Sequence, residues 1–241
     1  VAGQIAMPLT RAIFPGLSEM QGDAARMRQA FLRGVEALGA FAMPAAFGLA
    51  FVATDFTGVV LGEKWAAAAP VIALLAPVIG LQSLFFATQS YAVALGLTRL
   101  VFVRELVFFL VRMPVFIWAA LAHGLRGAII AVAVTGLFHV ALNLALYARA
   151  SRAMFWQPLL AARRSLGAVA AMAAWFIFVR PHFAAVEDLA PALRLIADIV
   201  LGVLVYAVAL YGFWRAEGRP DGVERNIRET AETIKNRLAQ S

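Results

Sequence analysis

Long apolar runs, cut by short breaks rich in arginine, organise this sequence. A helix that crosses a bilayer needs about 20 mostly apolar residues, and six runs meet or approach that length. They cover residues 35–53, 65–95, 100–121, 127–147, 165–179 and 193–214. The second lies within residues 65–98, which carry no charge, and Pro70, Pro77 and Gly80 predict a kinked or broken helix there. The third run carries charges, and the fifth is short. Residues 1–9 are apolar and lead straight into an arginine-rich break, so they read as the inner end of a span whose earlier part is absent. The prediction is an all-α polytopic bundle. Residues 1–34 form the end of a preceding span and a basic loop, residues 35–214 six spans, and residues 215–241 a tail.

The polar breaks orient these spans. Arg11, Arg26, Arg28 and Arg33 crowd the first break, opposed by Glu19 and Asp23. Arginine-rich short loops stay on the cytoplasmic side of a membrane. Taking alternate breaks as inside places Arg11, Arg26, Arg28, Arg33, Arg99, Arg104, Arg149, Arg152, Arg163, Arg164, Arg215 and Arg219 there. The other side receives Lys64, Arg126, Arg180 and Arg194. This bias predicts six crossings with both ends cytoplasmic. Trp65, Trp118, Trp156 and Trp214 fall near span ends, where amphipathic rings favour the headgroup layer, whereas Trp175 reads as a packing residue. In the tail, Val223, Ile227, Ala231, Ile234 and Leu238 recur at helical spacing among charges. That pattern suits an amphipathic helix on the membrane face or a solvated, frayed end.

Composition sharpens the reading. The chain has 241 residues, of which 63% are hydrophobic and 15% charged. Soluble domains hold about 45–50% apolar and about 25% charged residues, so a soluble domain is nearly excluded. The net charge of +7 suits nucleic acid or an anionic bilayer surface. The basic residues flank apolar runs instead of forming one patch, which favours the membrane and no nucleic acid. With Cys 0, thiolate metal sites, cysteine nucleophiles and disulfides are ruled out. No GxSxG, HExxH, Walker A or paired-carboxylate pattern is present, and His123, His139 and His182 lie on separate segments. The reading is therefore not an enzyme, with no cofactor and no metal.

The first two breaks carry a pattern. It runs FPGLSEMQGD (residues 14–23), Arg26, Arg28, Phe31, Arg33, Pro44, Gly48, Leu49, then LGEKWAAAAP (residues 61–70). LGLTR (residues 95–99), Arg112 with Pro114, Gly124 and Gly127 follow. This resembles the C-terminal half of the Wzx-like oligosaccharide-lipid flippases of the MOP superfamily, which also holds the MATE drug exporters and lipid II flippases. The resemblance implies one lobe of a two-lobe transporter with a central cavity and alternating access. It implies a bacterial inner-membrane location and an undecaprenyl-pyrophosphate-linked oligosaccharide as cargo. Bilayer lipids and an N-terminal lobe of the same chain would be the partners.

Several polar residues within the spans are candidates for that work. Arg112 lies deep in the third span, where a charge usually faces a protein interior or a wet cavity. Its guanidinium suits phosphate oxygens. The alternatives are an ion pair with Glu105 or Asp198, or snorkelling. Arg104 is a second substrate candidate or an interfacial anchor. Gln82 and Gln89, seven apart, are expected on one helix face, and Asn143 on the fourth span joins them as sugar-binding amides or as interhelical hydrogen-bond glue. His139, Asp198 and Glu105 are coupling-ion candidates. For Asp198 the plainer expectation is a salt bridge to Arg194. Pro15 and Gly16 turn the chain, and Ser18 with Gln21 has capping-box spacing. Competing functions are a MATE-like cation exporter, which should favour acidic cavity residues, and a membrane-embedded glycosyl or acyl transferase, which needs a clustered acid/base pair.

Overall fold

A computed structural model describes residues 24–183 and 189–217. Among these residues every regular element is helical. The first, α1, covers Ala24–Phe51. Its buried Met27, Phe31, Val35, Leu38 and Met43 recur at helical spacing and form the inward stripe. Its 28 residues give a rod about 42 Å long, longer than the ~30 Å hydrocarbon core. The helix therefore begins upstream of residue 35. Arg26, Arg28 and Arg33 stand on it and not in a loop, because the apolar stripe already starts at Met27. Arg11, the 14–23 motif, the capping-box residues and the amphipathic tail beyond residue 217 lie outside the described residues.

A short helix α2 (Ala53–Phe56) leads through a π-turn, Thr57–Leu61, to Gly62 and a 3-10 turn, Glu63–Ala68. The chain then returns in α3 (Ala69–Ser83) and α4 (Phe86–Ala94). The predicted break in this span is present but lies elsewhere. Pro70 sits in the first turn of α3, where its missing N–H is harmless, and Pro77 lies inside a continuing helix. The interruption comes at buried Leu84 and Phe85, where the Phe85 N–H donates to the Gln82 carbonyl at 3.0 Å in a tightened turn.

Helix α5 covers Thr98–Ser151 as two helical arms that meet at Gly124, where φ is 60° and ψ −144°. Only glycine enters that region without strain. The chain folds back there, so α5 is a helical hairpin whose two arms are the third and fourth expected spans. A short α6 (Gln157–Ala161) joins it to α7 (Arg163–Ala174). From α7 the helix continues as a π-turn, Trp175–Val179, and a 3-10 turn, Arg180–His182. The last helix is α8 (Pro191–Ala216). Among the described residues, five helical stretches are long and apolar enough to cross a membrane: Ala24–Phe51, Glu63–Ala94, Thr98–Ser151, Arg163–His182 and Pro191–Ala216. The longest is doubled at Gly124. The protein is an all-α polytopic bundle.

Small residues set its closest contacts, as is usual where lipid supplies no hydrophobic drive between helices. A side chain at Gly80 would overlap Ala46, one at Gly39 would crowd Ser165, and one at Gly202 would meet the Phe176 ring. Phe31, Tyr91 and Tyr147 form an aromatic core joining α1, α4 and α5, with Phe31 at 5.1 Å from each tyrosine ring. The Tyr147 hydroxyl donates to Gln157 Oε1 at 2.8 Å, and Tyr206 donates to the Ala40 carbonyl at 3.1 Å. Trp65, Trp118 and Trp156 are exposed, as an interfacial role requires. Trp214 is not: it is 4% exposed and packs on Tyr211.

Charge pairs staple α1, α7 and α8 at both ends. At one end Arg164 donates to Glu36 and Arg163 grips Glu217 through two 2.9 Å bonds. At the other, Arg180 grips Asp198 at 3.0 and 3.1 Å, and Arg194 grips Asp55. Asp198 therefore pairs with Arg180 and not with Arg194. The 3-10 turn after α7 presents Arg180 across the helix interface, while Arg194 points to α2.

Candidate functional site

The hairpin brings the predicted polar residues together. Arg104 and Asn143 are 39 residues apart in sequence, a distance of about 58 Å on a straight helix. The turn at Gly124 makes them neighbours, and the Arg104 Nη1 donates to Asn143 Oδ1. The Asn143 amide in turn donates to the His139 carbonyl at 2.9 Å. This fixes the amide so that its oxygen faces the guanidinium. The His139 ring stacks on Phe108 at 4.3 Å, and the Arg112 guanidinium lies 5.3 Å from the centre of the same Phe108 ring. A polar and aromatic stripe thus runs between the two arms, from Arg104 through Asn143, His139 and Phe108 to Arg112.

The two arginines differ in setting. Arg104 is 7% exposed and Asn143 3%, so the guanidinium is taken from water and held by an amide and a carboxylate. The carboxylate is that of Glu105, itself 47% exposed. Arg112 is half-buried and rests on Phe108, a cation–π contact worth about 0.5–2 kcal/mol according to desolvation. Its anticipated partners Glu105 and Asp198 are engaged by Arg104 and Arg180. The Arg104 Nε and the His139 Nε2 are buried with no hydrogen-bond partner. An unpartnered buried polar group is costly, by about 1–3 kcal/mol, so each of these two calls for an explanation.

Gln82 and Gln89 do not share a face, because the interruption at Leu84 and Phe85 changes the helix phase between them. Gln82 packs into the gap left by Gly136 on the second arm, next to the hairpin, while Gln89 is exposed. Asp198 is 4% exposed and stands apart from the hairpin stripe. It borders a cavity of about 460 Å³ between α1, α7 and α8. That cavity is otherwise lined by apolar groups such as Phe41, Pro44, Phe176 and Ile199, with Tyr206. A smaller cavity of about 80 Å³ lies between the hairpin arms and is lined by both Arg104 and Arg149. In the sequence Arg149 appears simply as one of the charges that orient the spans. Its place beside Arg104 depends on the fold-back at Gly124. The roles of Glu36, Asp55, Arg164 and Arg180 as staples were likewise hidden, although a charge at the edge of an apolar run is a signal that such residues need partners.

Comparison with known proteins decides the relationship. A family described as polysaccharide biosynthesis protein matches residues 1–70. A Klebsiella pneumoniae protein named as an uncharacterized membrane protein in the cps region is 30% identical over 122 residues. The lipopolysaccharide biosynthesis protein WzxC of Escherichia coli K12 is 37% identical over 73 residues. Over these stretches the chain is similar to polysaccharide-biosynthesis membrane proteins, WzxC among them. These matches cover 51% and 30% of this chain, and 25% and 15% of the respective relatives. The chain therefore spans a minor part of the curated relatives it matches. No solved structure matches it. The apolar helices make this a multi-pass membrane protein, and parts of it are similar to proteins named for polysaccharide biosynthesis.

Proposed function

We propose that this chain belongs to a transporter that flips a lipid-linked oligosaccharide across the bacterial inner membrane by alternating access, with both chain ends cytoplasmic. The observation that carries the reading is the buried Arg104 guanidinium, fixed by Asn143 between two membrane-spanning arms with one donor unmet. A polar headgroup crosses hydrocarbon when protein groups replace its water. Arg104 supplies a cation for the pyrophosphate of an undecaprenyl-type carrier, Arg112 a second cation deeper along the stripe, and Gln82 and Asn143 amides for sugar hydroxyls. Gln89, exposed on α4, meets the cargo only if it faces the second lobe. His139 and Glu105 adjoin the stripe and are placed to couple ion or proton movement to it. Asp198 stands apart, tied to Arg180. An N-terminal lobe of the same protein would cover the apolar outer face of the hairpin, where Phe102, Phe109, Leu110 and Ile117 are exposed. The chemistry is transport and not catalysis.

The test is surface polysaccharide in cells that depend on the full-length protein. Arg104→Ala removes it while membrane levels of the protein stay normal. Normal polysaccharide with Arg104→Ala would exclude this guanidinium from transport.

A further inference from the structure

Helix packing leaves unfilled the cavity of about 460 Å³ between α1, α7 and α8. Its α1 wall carries Ala40, Pro44 and Gly48 at four-residue spacing, and its α8 wall includes Gly202. These residues are too small to reach across, and a Cβ placed on Gly48 meets nothing within 4 Å. Contacts at the two ends keep the helices from closing the gap. At one end the Tyr206 hydroxyl of α8 donates to the Ala40 carbonyl of α1 at 3.1 Å, and both residues line the cavity. At the other, Arg194 of α8 donates to Asp55 of α2, and Asp198, which lines the cavity, pairs with Arg180. Phe41, Ile199 and Val203 also line it and are exposed. The space is therefore a slot that opens on the flank of the bundle.

The walls select the occupant. An empty space forfeits the packing of the atoms that line it. Water needs about two to four polar partners and leaves apolar cavities dry. The polar side chains on this slot, Asp198 and Tyr206, are already engaged. Hydrocarbon remains. From Ala40 to Val52 the slot follows the chain for about 18 Å of helix, against ~15 Å for half of the hydrocarbon core. A chain of one leaflet's length fits, and the Tyr206–Ala40 contact closes the slot to a much longer polyprenyl tail. The charges at the opposite end sum to zero, Asp55 and Asp198 against Arg180 and Arg194. That balance suits a headgroup without net charge better than an anionic one.

We propose that this slot holds one acyl chain of a zwitterionic phospholipid, with the headgroup at the end that bears Asp55, Arg194, Asp198 and Arg180 and the chain tip at Tyr206. The lipid is a packing element. It supplies the contact between α1 and α8 that their small residues leave unmade. It resides in the bundle and is not cargo, so the inference is independent of the transport reading.

The full-length protein is purified in mild detergent, and the lipid it retains is measured by native mass spectrometry. Wild type is expected to keep phosphatidylethanolamine. Gly48→Leu fills the slot from α1 and should lower that retention about tenfold. Gly212→Leu is the control: it adds the same side chain at an exposed glycine of α8 with open space around it, carries the same gain in helix propensity, and leaves retention unchanged. Val203→Phe fills the slot from its α8 rim and serves as the second variant should Gly48→Leu not fold. Thermal unfolding gives an independent readout. Added phosphatidylethanolamine raises the wild-type unfolding temperature, as a ligand of the folded state must, and has little effect on Gly48→Leu. Equal lipid retention in wild type and the slot-filled variants would overturn the proposal. So would a wild type that keeps no phospholipid, the result expected if the second lobe fills the slot. Stabilisation by undecaprenyl phosphate or phosphatidylglycerol and not by phosphatidylethanolamine would overturn the assigned occupant.

Discussion

Arg104 on the first arm of the hairpin donates to Asn143 on the second, and both side chains are buried. A buried guanidinium with a fixed amide partner is expensive to assemble, and removing one partner strands the other. The pair therefore acts as a unit. Asn143→Ala should lower transport as Arg104→Ala does, and the double variant should be little worse than either single one. A double-mutant cycle on surface polysaccharide measures this. Additive losses would mean that the two residues work separately.

Arg112 lies over Phe108 at 5.3 Å, at the far end of the same stripe. Phe108→Leu keeps an apolar side chain but removes the ring on which both Arg112 and His139 rest. Transport should fall with normal protein levels, and Arg112→Ala should give a comparable loss. Full activity in both variants would confine the working cation to Arg104.

Asp198 and Arg180 bridge α8 and the end of α7 with both oxygens engaged. Breaking a buried pair by deleting one member costs about 3–5 kcal/mol. Asp198→Ala should therefore lower the unfolding temperature in detergent markedly, and Arg180→Leu combined with Asp198→Leu should recover part of the loss. If Asp198→Ala leaves stability unchanged but abolishes transport, the carboxylate serves ion coupling and not the staple.

Gly124 turns the hairpin with φ 60° and ψ −144°. An alanine there is strained by about 1–3 kcal/mol, although open space surrounds the position. Gly124→Ala should lower stability by that amount and loosen the Arg104–Asn143 contact, reducing transport more than an alanine at exposed Gly58. Thermal unfolding of the two variants side by side decides it.

Sidedness follows from labelling, because the chain holds no native cysteine. Lys64→Cys should react with an impermeant maleimide in intact cells, and Arg152→Cys should react after lysis. The opposite result would invert the assigned topology.

Much of the architecture was already written along the chain. Apolar run length is a local quantity, and it determined an all-helical membrane bundle, including separate third and fourth spans, although Arg26, Arg28 and Arg33 proved to extend the first helix. The residues later found in the stripe, Arg104, Arg112, His139 and Asn143, also stood out, since a polar side chain in an apolar run requires an explanation wherever it lies.

Which of those residues meet was settled in three dimensions. The phase of a helix is lost at an interruption that has no proline, so Gln82 and Gln89 part company at Leu84 and Phe85. Ion pairs depend on which helix ends come side by side, so Asp198 takes Arg180 and Arg194 takes Asp55. Arg104, ahead of the deeper Arg112, is the buried one, with Asn143 of the facing arm against it. Position along a span states how far a charge lies from water along one axis. The tertiary packing alone states whether another side chain stands between it and the outside.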